Sequence, residues 1–374
     1  MVIAVNARLL LKDKLEGIGR FAHETLKRIT VAHPEHEFIF LFDRKFDEEF
    51  IYSSNINPVI ISPPARHPLL WYWWFEHSLP KFFKNVKADL FLSPDGYLSL
   101  KANVRSLPVI HDINFEHYPD SLPSTFSRYY RYYFPRYARK AARIATVSEF
   151  SKGDIASTYS INPEKIDVVY NGVSEGFIPL DEKSIQQTQN KYSDGVPYFL
   201  FTSAIHERKN IQNLLKAFDL FRNGVSENVK LILAGNKKWW TASMEQVYAS
   251  MQHKDDVILT GRISDNELQQ LTGSALAMVY VSLFEGFGVP VLEAMRSHVP
   301  VIASDTTSLP EVCGDAALLV APDSVSAIAE ALQKMWRDPA LRKSFIEKGV
   351  HRSENFTWNK TADLLWKSVE KAMK

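Results

Sequence analysis

The chain has 374 residues, of which 45% are hydrophobic and 23% charged, a composition that excludes a disordered chain and suits about two folded domains. Forty-four Lys and Arg against 43 Asp and Glu leave a net charge of +1, so neither a nucleic-acid coat nor a basic membrane anchor is expected. A single cysteine, Cys313, excludes an intramolecular disulfide framework and a multi-cysteine metal cluster, and no apolar run reaches the roughly 18 residues of a spanning helix.

The opening MVIAVN reads as a buried strand with no basic region or cleavage site before it, which makes the cytoplasm the expected location. Strand-length apolar runs follow one another at Val2–Asn6, Glu37–Phe42, Val59–Ser62, Ala88–Ser93, Leu107–Ile110, Arg143–Ser148 and Ile166–Tyr170. Runs without a polar face belong to strands covered on both sides, and the amphipathic stretches between several of them make βαβ units feeding a parallel sheet. Residues Asp181–Pro197 are polar with little apolar periodicity and mark a domain boundary, with room for a short helix. A second series then runs through Tyr198–Ser203, Val229–Ala234, Asp256–Thr260, Leu276–Ser282, Val299–Ser304 and Ala316–Val320. The expected fold class is α/β, with two doubly wound parallel sheets, the first in residues 1–180 and the second in 196–356. Helix signals in the second half are Asn210 as a cap before Ile211, Leu214, Leu215 and Phe218, and a capping box from Ser264 to Glu267. A third is Thr357 ahead of a last helix carrying Trp358, Leu364, Leu365 and Val369.

Open α/β sheets bind ligands beyond the carboxyl ends of their strands, so the residues just after each run are the candidates. Gly17-Ile18-Gly19-Arg20 opens an amphipathic helix, where glycines either admit an anion to backbone amides or simply make a tight turn. His111-Asp112 follows a strand, and His111 is either an acid, base or donor or a histidine bonded to backbone. Arg208-Lys209 sits just ahead of a helix start, where a guanidinium and an ammonium meet phosphate. The stretch Leu283–Met295 is the most informative. Pro290 suits the first turn of a helix, Gly288 leads into it, and the amides of Gly288, Val289 and Val291 are candidate anion or polyol donors. Glu285 in the loop and Glu293 one turn inside would make poor phosphate ligands but good partners for hydroxyls. A polyhydroxylated ligand carrying a phosphate suits all of these residues together.

With these residues in place, the sequence resembles the retaining glycosyltransferases of the GT-B fold, family 4, also called group 1. The resemblance runs nearly end to end through Gly17-Ile18-Gly19-Arg20, Val109-Ile110-His111-Asp112, Thr146–Ser151, Val169–Val173 and Arg208-Lys209-Asn210. It continues through Leu231–Gly235, Thr260–Asp265, Glu285-Gly286-Phe287-Gly288-Val289-Pro290 and Leu309-Pro310-Glu311-Val312, with the Glu285 and Glu293 pair its most specific signal. The family implies two Rossmann-like domains with the active site between them and a last helix, about residues 357–374, returning to the first domain. It implies a nucleotide-activated sugar donor held mainly by the second domain. Carried across, Glu285 bonds hydroxyls of the donor sugar and Glu293 those of the ribose. Arg208 and Lys209 neutralise the diphosphate with help from amides at Gly288 and Val289 and from the Gly17–Gly19 loop, Gly286 and Phe287 are further donor-binding residues, and His111 stands beside the sugar as positive charge develops. The family often has Gly-Arg-Leu or Gly-Thr-Leu where this chain has Ser203-Ala204-Ile205, which shifts reliance onto Arg208 and leaves its division of labour with Lys209 open.

The resemblance implies retention of anomeric configuration. No residue stands out as a covalent nucleophile, so front-face transfer is favoured over a double displacement, which the sequence does not separate. There is no Asp-x-Asp triplet, and Cys313 and the scattered histidines form no metal-ligand spacing, so neither a metal nor another cofactor is expected. The motif combination looks most like bacterial mannosyltransferases, making GDP-mannose the expected donor, with a rhamnosyl, glucosyl or galactosyl donor as the alternative. The base is expected near Gly261–Ile263, with Trp239 or Trp240 as a stacking candidate that equally serves to pack the next helix. The expected acceptor is a glycan or lipid-linked saccharide. The aromatic segments His67–Phe83 and Ser127–Arg143, the latter carrying five arginines, suit either peripheral contact of the first domain with the inner face of the membrane or a core helix with a solvated basic face. A sugar-nucleotide epimerase and an inactive sugar-nucleotide-binding protein are the rival classes. No nucleic-acid partner is expected.

Overall fold

The computed structural model describes residues 1–12 and 14–374. The chain divides into two compact units, Met1–Gly172 with Trp358–Lys374, and Val173–Thr357.

The first unit is built on β1 (Val2–Asn6), β2 (Glu37–Phe42), β3 (Ile56–Ile60), β4 (Leu90–Ser93) and β5 (Ser106–Pro108), a parallel sheet in the order β3-β2-β1-β4-β5. A parallel bridge from Val109 to Ala145 carries the sheet on to the pair β6 (Ile144–Thr146) and β7 (Ile166–Val168). Consecutive residues Ile3, Ala4 and Val5 are all fully buried, because helices cover both faces of the sheet and neither parity of the strand meets water. β3 is displaced from the expected Val59–Ser62. Pairing with β2 selects Ile56–Ile60 despite Asn57 and Pro58, and an edge position accommodates the proline's missing N–H.

The second unit repeats the plan with β8 (Tyr198–Thr202), β9 (Lys230–Ala234), β10 (Val257–Gly261), β11 (Ala277–Tyr280), β12 (Val301–Ser304) and β13 (Leu318–Val320), all parallel, in the order β10-β9-β8-β11-β12-β13. In both sheets the order reverses beside the first strand, between β1 and β4 and between β8 and β11. Crossovers leave in opposite directions there, opening a crevice at the strands' carboxyl ends.

The polar stretch Asp181–Pro197 is not the division between units. It forms a helix, Glu182–Ser193, started by the Asp181 side chain on the Ser184 amide and held within the second unit by Tyr192 Oη on Glu267 at 2.8 Å. A surface helix with one short buried side looks like linker in composition. The division falls at Gly172 and Val173, where the Val173 amide donates to Phe356 O at 3.1 Å. The Ser264–Glu267 capping box forms as expected. Asn210 differs: it takes a left-handed φ of 63° and makes no cap bond, its amide nitrogen instead donating to Val281 O and Pro322 O. The expectation that histidines are scattered also fails at one turn, where His33, Glu35 and His36 gather within 4.8 Å.

The last helix, Trp358–Met373, belongs to the first unit. Trp358 meets Phe21, and Asn359 Oδ1 accepts from Arg28 Nε at 2.7 Å. Ser368 and Lys371 both bond the Asp167 carboxylate, which Arg143 grips with Nε and Nη2. Leu365, Val369 and Ala372 line the buried side. Truncating the fully buried Leu365 to alanine is expected to cost about 2–5 kcal/mol, read as a lower denaturation midpoint of the first unit in urea.

Candidate active site

In the second unit, the residues after β8 and β11 interlock. After β8 the chain makes a single 3-10 turn, Glu207–Lys209, begun by the His206 ring on the Arg208 amide. Left-handed Asn210 then turns the chain into the helix Ile211–Arg222. This sharp exit points Arg208 and Lys209 toward the loop after β11. There the Leu283 amide donates to Arg208 O at 2.9 Å, and Arg208 Nη1 donates to Phe284 O. Lys209 Nζ lies 2.5 Å from Glu285 Oε1 and 2.9 Å from Tyr280 Oη, and Arg208 Nη1 lies 3.4 Å from Glu285 Oε2.

Lys209 is 7% exposed and Glu285 6%, so this ion pair sits out of water. Burial pushes the Glu285 carboxyl up, but Lys209 and Arg208 outweigh it and hold the group at about 2. Burial also keeps the proton on the Tyr280 phenol. Glu285 is therefore a fixed carboxylate acceptor, oriented by a lysine that is itself oriented by a tyrosine. The backbone around it is secured from β12: Ser308 Oγ donates to Glu285 O and Phe287 O, Ser304 Oγ to Ser282 O, and the Glu285 amide to Thr307 Oγ1.

The loop ends at Gly288, φ 104°, ahead of the helix Val289–Arg296. The left-handed conformation requires glycine at 288, and a side chain there would also press its Cβ to 2.5 Å from Leu309 Cδ2, which would have to shift. Of the amides expected to bind an anion, Val291 is corrected: its N–H donates to Gly288 O at 3.1 Å and is spent inside the first turn. Phe287 turns its ring inward, edge-on to Phe356, so it offers only backbone to a ligand. Gly286 is buried in the same loop, and Glu293 is half-buried one turn into the helix. Ile263 is half-buried beyond β10, two residues after Gly261 with φ 70°. Trp240 packs on the next helix through Nε1 to Glu245 and an edge contact with Tyr248, whereas Trp239 tilts toward His206 at 5.6 Å.

The first unit makes the corresponding crevice from Asn6 at the end of β1, Arg8 just after it and Asp95 after β4. Asp95 accepts from Arg8 Nη2 and from Asn6 Nδ2, each at 2.7 Å, and all three side chains are buried. Arg8 lies over the Tyr97 ring at 4.7 Å and near Phe75 at 5.4 Å, on the aromatic core. This fixes the turn Pro94–Gly96, whose Pro94 carbonyl takes a bond from His111 Nε2 at 2.9 Å. A carbonyl only accepts, so Nε2 carries the proton. Burial pushes the His111 pKa down, more than the Pro94 bond and the carboxylates of Asp112 and Asp95 raise it. The neutral ring therefore presents Nδ1 as an acceptor. Phe21 from the helix Gly17–Ala32 meets the ring edge-on at 4.9 Å, and Ser151 Oγ donates to His111 O. In that helix, a Cβ at Gly19 would lie 2.9 Å from Leu9 O, so packing requires this glycine, while one at Gly17 would meet open space. Sequence reasoning singled out Gly17, Gly19, His111, Arg208, Lys209, Glu285 and Glu293 but missed Arg8, Asp95, Tyr280, Thr307 and Ser308. The last two precede the quoted Leu309-Pro310-Glu311-Val312 segment, and that adjacency was the available signal.

Residues 15–176 match the family described as Glycosyltransferase Family 4, and residues 182–352 that described as Glycosyl transferases group 1. The O-antigen chain mannosyltransferase RfbU of Salmonella typhimurium is 31% identical over 83% of this chain and 81% of its own length. The O-antigen chain mannosyltransferase B of Escherichia coli is 28% identical over 93% of this chain and 94% of its own. The crystal structure of Anabaena Alr3699/HepE in complex with UDP-glucose superposes with a TM-score of 0.74 at 14% identity, over 99% of both chains. The fold is that of the GT-B glycosyltransferases. The chain belongs to the family 4, group 1 glycosyltransferases.

Because Glu285 ionises more readily folded than unfolded, its contribution to stability is complete above about pH 4.5 and disappears as the pH falls through about 2. Glu285→Gln leaves Lys209 buried without its counter-charge and is expected to be about 3–5 kcal/mol less stable near neutrality. The gap to wild type is expected to narrow as the pH is lowered from 4.5 toward 2, measured by urea midpoints across that range.

Proposed function

We propose that the chain is a retaining mannosyltransferase that moves mannose from GDP-mannose to a hydroxyl of a glycan or lipid-linked saccharide in surface-polysaccharide synthesis. The observation that carries this reading is the ionised Glu285 held between Lys209 and Arg208 where the second sheet reverses its order. A buried carboxylate with two adjacent cations suits a ligand that offers hydroxyls on one side and a diphosphate on the other. The mannosyl and O-antigen assignment rests on the names of the two curated relatives.

In this reading Glu285 accepts from donor-sugar hydroxyls and Glu293 from the ribose. Arg208, the more exposed of the two cations, swings from the Phe284 carbonyl onto the diphosphate, while Lys209 both orients Glu285 and supplies charge. The Gly288 and Val289 amides at the helix start and the Gly17 amide add donors to the phosphates, and Ile263 borders the base. Neutral His111 accepts from a sugar hydroxyl through Nδ1. The bond from C1 to the leaving phosphate oxygen breaks, the acceptor oxygen bonds C1 on the same face, and the acceptor's proton passes to the departing diphosphate, releasing GDP. Arg, Lys and amides carry the leaving charge, so no metal is assigned to this step.

Thermal stabilisation across a panel of nucleotide sugars tests the donor: selective stabilisation by GDP and GDP-mannose is expected, and selectivity for a UDP or dTDP sugar overturns the mannosyl assignment. In a transfer assay with the donor so found, product of retained configuration by NMR is expected, and added Mg²⁺ or Mn²⁺ leaves turnover unchanged. Glu285→Ala is expected to lower turnover roughly 10²–10³-fold. Full activity in that variant removes the site assignment, and release of a free epimer without acceptor identifies an epimerase.

The acceptor side involves the two aromatic segments. Part of each is core: Trp71, Trp74 and Phe75 are buried, as are Tyr129, Phe134 and Tyr137. Trp71 meets Phe126 and Tyr130, so the helices Pro68–Trp73 and Ser124–Lys140 pack together. Two of the arginines are spoken for, Arg131 by Glu116 and Arg143 by Asp167. Leu69 at 60%, Trp73 at 49% and Tyr132 at 52% remain exposed, with Arg136 stacked on Tyr132. No described helix is long and apolar enough to cross a membrane. We assign these exposed aromatic and basic side chains to peripheral contact with an anionic bilayer. The protein is expected to float with anionic liposomes at low salt, and the double change Leu69→Ser, Trp73→Ser to leave it in the pellet fraction. Absence of flotation by the wild type removes the membrane assignment.

A further inference from the structure

The first unit carries another group of titratable side chains at the opposite, amino-terminal ends of its strands, where the helix Gly17–Ala32 turns into β2. There the sequence reads His33-Pro34-Glu35-His36. His33 Nδ1 lies 3.5 Å and His36 Nε2 3.3 Å from the same oxygen, Glu35 Oε1, and the three donor atoms all lie within 4.8 Å of one another. Tetrahedral coordination with bonds of about 2.0–2.1 Å places neighbouring ligand atoms about 3.3 Å apart, so two of the three spacings already have the required length. Two imidazoles and one carboxylate suit zinc, whereas calcium and magnesium call for more oxygens.

The turn is built to hold these groups still. Asn55 Nδ2 lies 3.0–3.1 Å from the carbonyls of Thr30, His33 and His36, and the His36 amide donates to His33 O. The His33 ring lies flat on Trp366 of the last helix at 3.7 Å, and the His36 ring on the same indole at 5.2 Å, so the two imidazoles are nearly parallel. Glu35 is exposed, which leaves solvent access for a water as the fourth ligand.

We propose that His33, Glu35 and His36 form a zinc-class cation site that fastens the turn before β2 and, through the indole of Trp366, the last helix. Being at the amino edge of the sheet, it is separate from the crevice containing His111.

The test uses the untagged chain Met1–Lys374 and Zn²⁺ alone. Calorimetric titration is expected to show one saturable equivalent, with affinity lowered roughly tenfold or more in Glu35→Ala and in His36→Ala. Glu35 is a surface side chain, so its variant stays folded and keeps the outcome readable. Cu²⁺ in place of Zn²⁺ is expected to quench tryptophan emission, with most of that quenching lost in Trp366→Phe. Wild-type affinity in both the Glu35→Ala and His36→Ala variants, or no saturable uptake by the wild type below about 1 mM, overturns the proposal.

Discussion

Burying the Glu285 carboxylate is the constraint around which the second unit is arranged. A charge taken out of water is tolerated only when paired and hydrogen-bonded, and removing one partner costs several times what the pair contributes. Lys209, Arg208 and Tyr280 are therefore required together, and they come from the ends of β8 and β11, adjacent strands separated by more than seventy residues of chain. The same demand explains the left-handed Asn210 and the three hydroxyls from the end of β12 that secure the Glu285 loop. The pairing that makes burial bearable also leaves the carboxylate ionised and fixed in place.

The first unit solves a similar problem with a different residue set. Asp95 between Arg8 and Asn6 fixes a turn whose carbonyl decides which nitrogen of His111 holds the proton. Here the charged pair stays behind His111, where the aromatic rings of Tyr97 and Phe75 support the guanidinium. One sheet thus buries a carboxylate between two cations, and the other uses charge to set the protonation of a neutral ring.

The strands were legible because burial on both faces leaves unbroken apolar runs, and this signal survives without any partner being known. The glycine, basic-pair and paired-glutamate segments were legible because loop residues at strand ends keep their chemistry within a few positions. What could not be read was long-range. Nothing near Asp95 announces Arg8, and Tyr280 looks like one more apolar strand residue until Lys209 arrives beside it. Asn210 reads as a helix cap locally, yet its side chain is claimed by Val281 and Pro322. The arginines of Ser124–Lys140 and its sequel looked like one basic face, but Glu116 and Asp167 take two of them. The helix Glu182–Ser193 was hidden because so few of its residues are buried.

The excursion of the last helix has a consequence for synthesis. Asp167 and Tyr170 wait for Ser368, Lys371 and Thr361, roughly two hundred positions downstream. On the ribosome the second unit has all its residues before the first has its own, so the earlier-made half is the later one to be sealed. Until then the groove beside the helix Gly17–Ala32 lies open with its apolar lining in water, a ready site for chaperone capture and the interval in which a nascent chain is most exposed to aggregation.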